Sequence, residues 1–181
     1  KISQYWRVSV VDLTASTQND LADLVNSSVA KSGELIAAEF QSAGRGRLDR
    51  TFEAPRQSAL LFSFYLQPKR SRSDWSFVSF LAAIAMQEVI SETSSATITL
   101  KWPNDILIGD KKVAGLLAQQ IGDGVIVGIG LNVSMSESEL PVPTATSLAL
   151  VGSNYLDRNQ LLIDFLNRFE SIYSEWESGA N

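Results

Sequence analysis

The sequence contains no histidine and no cysteine. The lack of cysteine excludes a disulfide framework and thiolate chemistry, which is consistent with a cytoplasmic protein. The lack of histidine excludes a Ser-His-Asp triad, a histidine general base and histidine-ligated zinc. If the protein is an enzyme, its chemistry must therefore depend on charge and positioning, with any metal being Mg²⁺ held by carboxylates.

Long apolar runs are also missing: none approaches the ~20 residues needed to cross a bilayer, and no signal peptide is visible. The 181 residues are 45% hydrophobic, which is enough to fill the core of one domain. The formal net charge is −5, so the chain as a whole is acidic. We therefore expect a single domain over residues 1–181 that contacts neither a membrane nor nucleic acid.

Alternating and helical hydrophobic patterns divide the chain into strands and three helices. The helices begin near residues 17, 75 and 157, and the strands cover residues 8–11, 34–40, 59–66, 97–102, 106–108, 111–120 and 125–133. Glycine-aspartate pairs at residues 109–110 and 122–123 mark hairpin turns between the last three strands. This order predicts an α+β fold with a mixed, largely antiparallel sheet flanked by helices.

Polar residues mark where two of the helices begin. Ser16 or Thr17 can cap the first helix, with Asp20 at the capping-box position from Thr17. Asp157 can cap the last helix in the same way. A cap at Ser16 or Thr17 places the first helix shortly after the predicted strand over residues 8–11.

Six of the fifteen lysines and arginines lie in two short stretches, residues 41–50 and 101–115. In the first stretch Arg45, Arg47 and Arg50 alternate with Gly44 and Gly46. Glycines let backbone N–H groups approach an anion closely, and guanidinium groups bind carboxylate or phosphate oxygens at two points. The stretch therefore predicts an anion-binding loop.

Other interpretations of this loop are a solvated basic turn or an electrostatic contact with another protein. Nucleic-acid binding would need a broad basic face with interleaved aromatic residues, whereas this chain is acidic. The loop is also not a Walker motif, because no Gly-Lys-Ser/Thr follows the glycines.

The second stretch contains a predicted hairpin around residues 109–110. With a two-residue turn, Lys112 lies opposite Leu107, and strand alternation then places Asp105 and Lys112 on one face. The simple alternative is a surface ion pair worth less than about 1 kcal/mol. A longer turn would break the pairing. Ala114 and Gly115 follow, and the lack of side-chain bulk at these two positions leaves room for a ligand.

A reaction that these groups can perform is attack of a carboxylate on the α-phosphate of ATP. The carboxylate is already ionised at neutral pH, so the reaction needs no general base. It needs cations that offset the repulsion between carboxylate and triphosphate, and it needs alignment. Arginines and a lysine supply the cations, and an aspartate can hold Mg²⁺ on the leaving pyrophosphate.

The same motifs resemble those of the biotin–protein ligases. The matching segments are Ser16-Thr17, Gln41-Ser-Ala-Gly-Arg-Gly-Arg47, Lys101-Trp-Pro-Asn-Asp105, Lys112-Val-Ala-Gly115 and Gly128-Ile-Gly-Leu-Asn132. They cover nearly the whole chain in the family's order. The resemblance implies the mixed sheet shared with class II aminoacyl-tRNA synthetases and the wider biotin–lipoyl ligase core.

The resemblance also implies a set of site residues. The biotin-binding set is Ser16, Thr17, Gln41, Gly44, Arg45, Arg47, Lys112, Gly115, Leu116 and Gly128. The ATP-binding set is Arg45, Arg47, Arg50, Phe52, Lys101, Asn104, Asp105, Lys112 and Asn132. Arg47, Lys112 and Asp105 would be catalytic, and Asp105 would bind Mg²⁺.

The activity implied is formation of biotinyl-5′-AMP from biotin and ATP, followed by biotin transfer to a lysine of a biotin carboxyl carrier domain of acetyl-CoA carboxylase or a related carboxylase. The helix-turn-helix domain and the small C-terminal domain of other members are not among these residues. The resemblance also allows a homodimer. Gln18 departs from the usual asparagine, and Leu48-Asp49 departs from the usual loop sequence.

Two other functions remain open from the sequence. One is a lipoyl- or octanoyl-transferring relative with a similar core. The other is a regulator that binds biotin or a nucleotide without catalysis. Charged residues at Arg47, Asp105 and Lys112 favour an enzyme over such a regulator, because binding alone would not require them.

Overall fold

The computed structural model describes residues 1–46 and 51–179. The strands are β1 (Arg7–Val11), β2 (Glu34–Ala38), β3 (Ala59–Leu66), β4 (Ile98–Lys101), β5 (Asp105–Ile108), β6 (Lys111–Ile121) and β7 (Gly124–Asn132). The α-helices are α1 (Thr17–Asn26), α2 (Phe77–Thr93) and α3 (Arg158–Glu177), and short 3₁₀ turns lie at Arg72–Asp74 and Glu137–Glu139.

These strands form one seven-stranded sheet in the order β1-β2-β3-β7-β6-β5-β4. The β1–β2 pair is parallel and every other pair is antiparallel. The prediction of a mixed, largely antiparallel sheet is therefore confirmed. The predicted two-residue turn at residues 109–110 is also present, since Ile108 pairs with Lys111 and Leu107 pairs with Lys112.

The two faces of the sheet are covered differently. On one face α2 and α3 pack over a continuous apolar core, in which Phe62 and Phe64 of β3 meet Phe165 and Phe169 of α3. Each fully buried phenylalanine stabilises the fold by about 1.5–3 kcal/mol. On the other face α1 packs through Leu21 against one end of the sheet only. On the same face Ala59 and Leu61 of β3 pack against Ala54 and Met135 from loops, and a cavity opens beside Leu61.

The start of α1 differs from the predicted capping box. Ser16 is the N-cap, but its side chain makes no capping hydrogen bond. Asp20 instead accepts a hydrogen bond from the hydroxyl of Thr14 at 2.6 Å. The backbone N–H of Thr17 donates to Oε1 of Gln41 at 2.8 Å. A side chain from a distant loop thus satisfies the helix end, which a local sequence pattern cannot reveal.

The predicted cap of α3 is confirmed, because Asp157 accepts hydrogen bonds from the N–H groups of Asn159 and Gln160 at 2.9 and 3.2 Å. Of the helices in the described part of the chain, none combines the length and hydropathy that a bilayer crossing requires.

Candidate active site

A cavity of about 460 Å³ opens on the sheet face that α1 leaves uncovered. Strands β3, β6 and β7 form its floor, the first turn of α1 forms one wall, and residues 101–105 form part of its rim. Side chains alternate across strands, so one face of β3 builds the core while the opposite face, with Leu61 and Ser63, lines the cavity. This volume lies within the range typical of small-molecule sites.

The buried end of the cavity contains a hydrogen-bonded polar cluster. The hydroxyl of Thr17 lies 3.0 Å from Oε1 of Gln41 and 2.8 Å from the hydroxyl of Ser63. Ser63 in turn donates to Oε1 of Gln18 at 3.2 Å. Because Thr17, Gln18 and Ser63 are each no more than 3% exposed, their orientations are fixed by the protein and not by solvent.

Two polar atoms of this buried end have no hydrogen-bond partner among the described residues: the hydroxyl of Ser16 and Nε2 of Gln18. Ser16 is fully buried and Gln18 is 3% exposed. An unsatisfied buried donor or acceptor costs about 1–3 kcal/mol, so such groups are rare in folded proteins. Both residues line the cavity, where a bound ligand can supply the missing partners.

Glycines keep the floor of the cavity free of side chains. An ideal Cβ on Gly128 would lie 2.6 Å from Oε1 of Gln18 and 3.1 Å from Oγ of Ser63. One on Gly115 would lie 2.9 Å from Nζ of Lys112, and one on Gly130 would lie 2.6 Å from the Phe52 ring. All three glycines lie in strands of the sheet, and a side chain at any of these positions would occupy the space that a ligand could fill.

The other end of the cavity is more exposed and is charged. Nζ of Lys112 lies 2.7 Å from Oδ1 of Asp105, so the prediction that these residues share a face is confirmed. The strand register shifts between Ile106 and Leu107, so that Asp105 pairs with Gly115, and the side chains of Asp105 and Lys112 meet despite this irregularity. The side chains of Lys112 and Asp105 are 38% and 26% exposed, so the ion pair itself adds little stability.

The rim residues are held by the backbone of β6. The side chain of Asn104 donates to the carbonyl of Leu116 at 2.9 Å, and the N–H of Leu116 donates to the carbonyl of Asn104 at 2.9 Å. Trp102, beside them, is 85% exposed. Across the cavity, Arg45 donates to the side chain of Asn19 at 2.9 Å, which ties the glycine-arginine loop to α1.

Most of the predicted site residues come together in this cavity. Those that line it are Ser16, Thr17, Gln41, Arg45, Phe52, Lys101, Asn104, Asp105, Lys112, Gly115, Leu116 and Gly128. Arg47 and Arg50 lie outside the described residues. The roles assigned to individual residues remain predictions.

Two predicted residues are placed elsewhere. Gly44 lines a neighbouring cavity, and an ideal Cβ on it would lie 2.4 Å from the backbone oxygen of Phe52. Asn132 is buried at the end of β7, where its amide donates to the carbonyl of Thr146 at 2.9 Å. Neither contributes to the lining of the main cavity.

Sequence reasoning missed Ser63, Gln18 and Gly130 as lining residues. Apart from Tyr65, Ser63 is the only residue of β3 with a hydroxyl group, and the other residues of the strand are apolar. A buried serine within such an apolar strand is the signal in the sequence that points to it. Gly130 repeats Gly128 two positions on, so it lies on the same face of β7. In the sequence, Gln18 is distinguished only by its departure from the family's usual asparagine.

Binding of a metal ion at this site would require ligand atoms from a substrate in addition to those of the protein. The described residues contain no group of three or more carboxylate, histidine or cysteine side chains that could hold a metal ion together. Mg²⁺ is, however, commonly bound through one or two carboxylates plus substrate phosphates and water. Asp105, beside the cavity mouth, is consistent with that kind of binding.

The model of the Biotin/lipoate A/B protein ligase family matches residues 10–136 of the sequence. The chain belongs to this family. Biotin--[acetyl-CoA-carboxylase] ligase of Mycobacterium tuberculosis is 33% identical over 181 residues, covering 96% of this chain and 66% of that protein. Bifunctional ligase/repressor BirA of Bacillus subtilis is 34% identical over 123 residues, which are 65% of this chain. The chain spans 38% of the length of that relative.

A solved structure of this family has the same fold. Biotin protein ligase from Aquifex aeolicus, in complex with biotin and ATP, superposes with a TM-score of 0.81 at 30% identity. The superposition covers 95% of this chain and 72% of that one. The fold predicted from the family resemblance is therefore confirmed.

Proposed function

We propose that this chain is the catalytic domain of an ATP-dependent biotin–protein ligase. The observation that carries the proposal is one cavity with a buried, incompletely satisfied polar end and an exposed cationic end. Biotin has the complementary form, with a ureido ring at one end and a carboxylate at the other. The family relationship and the biotin- and ATP-bound Aquifex structure support the same assignment.

The buried end favours biotin over lipoate, the other acid named in the family description. A ureido ring offers two N–H donors and a carbonyl acceptor, which can satisfy the Ser16 hydroxyl and the Gln18 amide. The dithiolane ring of lipoate has neither strong donors nor strong acceptors and would leave both groups unpaired. A site built to hydrogen-bond its substrate rejects an analogue that lacks those groups, often by several orders of magnitude.

In the proposed first step, the biotin carboxylate attacks the α-phosphate of ATP and pyrophosphate leaves. The reaction joins two anions, so cations beside the reacting atoms are the main requirement. Lys112 and Arg45 line the cavity and are assigned to the carboxylate and the phosphate. The biotin ring, held at the buried end, would align its carboxylate and so reduce the entropic cost of the reaction.

In the second step, the amine of a target lysine attacks the acyl carbon of biotinyl-5′-AMP and AMP leaves. The exposed mouth of the cavity, beside Trp102, gives a protein lysine access to that carbon. We assign the acceptor to a biotin carboxyl carrier domain. We also propose that the protein is cytoplasmic and forms a homodimer.

Mg²⁺ would be held by Asp105 together with phosphate oxygens of ATP. Bound there, it would neutralise negative charge on the leaving pyrophosphate. The ion pair with Lys112 keeps the Asp105 carboxylate oriented toward the cavity before substrates arrive.

The direct test is biotin-dependent exchange of labelled pyrophosphate into ATP, measured with Mg²⁺ present. We expect exchange that requires biotin and is not supported by lipoate at the same concentration. Exchange with lipoate alone would reassign the chain to the lipoate branch of the family. Binding of biotin without exchange would favour a regulator that does not catalyse adenylation.

The role of the buried end can be tested by Gln18→Leu, which keeps the side-chain volume but removes the amide. Biotin should bind about tenfold or more weakly, because its ring loses a hydrogen-bond partner in a buried site. Calorimetric titration with biotin and with lipoate measures the change in preference. Gln160→Leu on α3, whose side chain lies outside the cavity, is the matched control. Unaltered biotin affinity in Gln18→Leu would remove Gln18 from the site.

A further inference from the structure

Strand β6 contains one residue more than the part of β5 with which it pairs. Leu107 pairs with Lys112, whereas the preceding residue, Ile106, pairs with Ala114. Val113 therefore has no partner in β5, which is the arrangement of a β-bulge. Val113 and Ala114 are both fully buried in the apolar core that contains α2 and α3. Two consecutive side chains thus lie on the same face of the sheet, and the alternation of the strand is broken at this point.

The bulge decides which residue lies opposite Asp105. Without the extra residue, continuation of the ladder from Leu107 and Lys112 would place Ala114 opposite Asp105. With the extra residue, Asp105 pairs with Gly115. Gly115 lines the cavity together with Lys112 and Asp105. The position beside these two charged residues is therefore occupied by a residue without a side chain.

The side chain of Lys112 crosses Gly115 to reach Asp105. An ideal Cβ on Gly115 would lie 3.0 Å from Cε and 2.9 Å from Nζ of Lys112, and 3.8 Å from Oδ1 of Asp105. Nζ itself lies 2.7 Å from that oxygen. A side chain at position 115 would therefore force the lysine amine away from its present place.

The backbone does not require glycine at this position. The φ angle of Gly115 lies outside the left-handed region, unlike that of Gly109 in the adjacent turn, which is 58°. An alanine would therefore fit the main chain of β6. The atoms that its Cβ would meet belong to the far end of a flexible lysine, which can move at little cost in stability. The missing side chain thus matters for the position of Lys112 and not for the fold.

We infer that Gly115 is a positioning residue that acts on the reaction through Lys112. By leaving the space beside Asp105 empty, it lets the lysine amine lie against the carboxylate at the exposed end of the cavity. This inference rests on the proposed function, in which Lys112 stabilises charge during adenylation. A displacement of about 1 Å at such a group can cost about 100-fold in rate even when the fold is intact.

Gly115→Ala should lower kcat for pyrophosphate exchange by about 10- to 100-fold, because its Cβ displaces the Lys112 amine. The KM for biotin should change by less than about twofold, since the ring is bound at the other end of the cavity. A raised KM with a normal kcat would mean that the glycine only makes room for biotin, and would overturn the inference.

A double-mutant cycle separates these two roles of the glycine. In a Lys112→Ala background the lysine no longer crosses Gly115, so Gly115→Ala should have almost no further effect on kcat. A full loss in that background would show that the added methyl group meets a substrate, and would overturn the inference. If Gly115→Ala alone does not fold, the double variant should fold, because the clash is with Lys112. Failure of both variants to fold would overturn the inference equally.

A second measurement uses the ligand-free protein and does not depend on activity. Acetic anhydride acylates free amines, and an ammonium group held against a carboxylate reacts slowly. Peptide mass spectrometry should therefore show Lys112 acylated at least about threefold faster in Gly115→Ala and in Asp105→Asn. Lys111, which is exposed, is the reference within the same protein and should react at its normal rate.

Unchanged reactivity of Lys112 in Gly115→Ala would overturn the inference even in an active enzyme. Conversely, faster acylation of Lys112 in a protein without biotin-dependent exchange would uphold the placement of the lysine and refute the proposed function.

The matched control is Val113→Ala, at the bulge between Lys112 and Gly115. Val113 is fully buried in the core on the other face of the sheet. The substitution should lower the melting temperature, because it leaves a cavity in the core. It should change kcat by less than about twofold, because stability and positioning are separate effects. An equal loss of kcat in Val113→Ala and Gly115→Ala would show that both act by loosening β6, and would overturn the inference.

Discussion

Lys112→Ala should reduce biotin-dependent pyrophosphate exchange by about 100- to 1,000-fold, the usual cost of removing one group that stabilises transition-state charge. The side chain lies at the exposed end of the cavity, 2.7 Å from Asp105. Biotin affinity should fall much less, because the ring is bound at the other end. Exchange kinetics at saturating biotin and ATP measure the effect on kcat.

Lys111→Ala is the matched control for this variant. Lys111 is the preceding residue of β6, is exposed and does not line the cavity. It removes the same formal charge from the acidic chain, so any effect of net charge would appear in both variants. If Lys111→Ala and Lys112→Ala lower the rate of exchange equally, Lys112 acts only through the net charge of the protein and does not contact the reacting groups.

Gly128→Val should weaken biotin binding by about 100-fold, since overpacking of a filled site commonly costs 1–3 kcal/mol. Even a Cβ at this position would lie 2.6 Å from Oε1 of Gln18 and 3.1 Å from Oγ of Ser63, and valine adds two more methyl groups. The new side chain would occupy the space of the ring. Calorimetry with biotin, together with thermal unfolding of the ligand-free protein, measures both consequences.

Ala118→Val provides the control for this substitution. Ala118 is an exposed residue of the adjacent strand β6 and does not line the cavity. β-branched residues are well tolerated in strands, so neither stability nor biotin binding should change appreciably. Normal biotin affinity in Gly128→Val would mean that the ligand does not reach the buried end, and the proposed orientation of biotin would be wrong.

The hairpin around residues 109–110 shows how much of the site local rules could predict. A glycine-aspartate turn fixes the pairing of Ile108 with Lys111, and side-chain alternation then brings Asp105 and Lys112 together. These are short-range constraints, and the sequence contains all the residues that impose them. The same is true of the α3 cap at Asp157.

The start of α1 shows where local rules fail. The capping box predicted from Thr17 and Asp20 is replaced by Gln41, whose Oε1 accepts both the N–H and the hydroxyl of Thr17. Both arrangements satisfy the N–H of Thr17, and the choice depends on a residue 24 positions away. Sequence patterns show which backbone groups need hydrogen-bond partners, but they do not show which distant residue supplies the partner.

Taken by itself, the sequence determined the kind of chemistry and the class of fold. Without histidine or cysteine, the chain was restricted to charge and positioning, and the period of its apolar residues required a sheet with helices. The tertiary structure alone decided which residues share the cavity. It brought Ser63 and Gln18 to the buried end and paired the Asn132 amide with the carbonyl of Thr146. Such placements follow from where whole strands and helices pack, and that depends on the burial of many apolar side chains together.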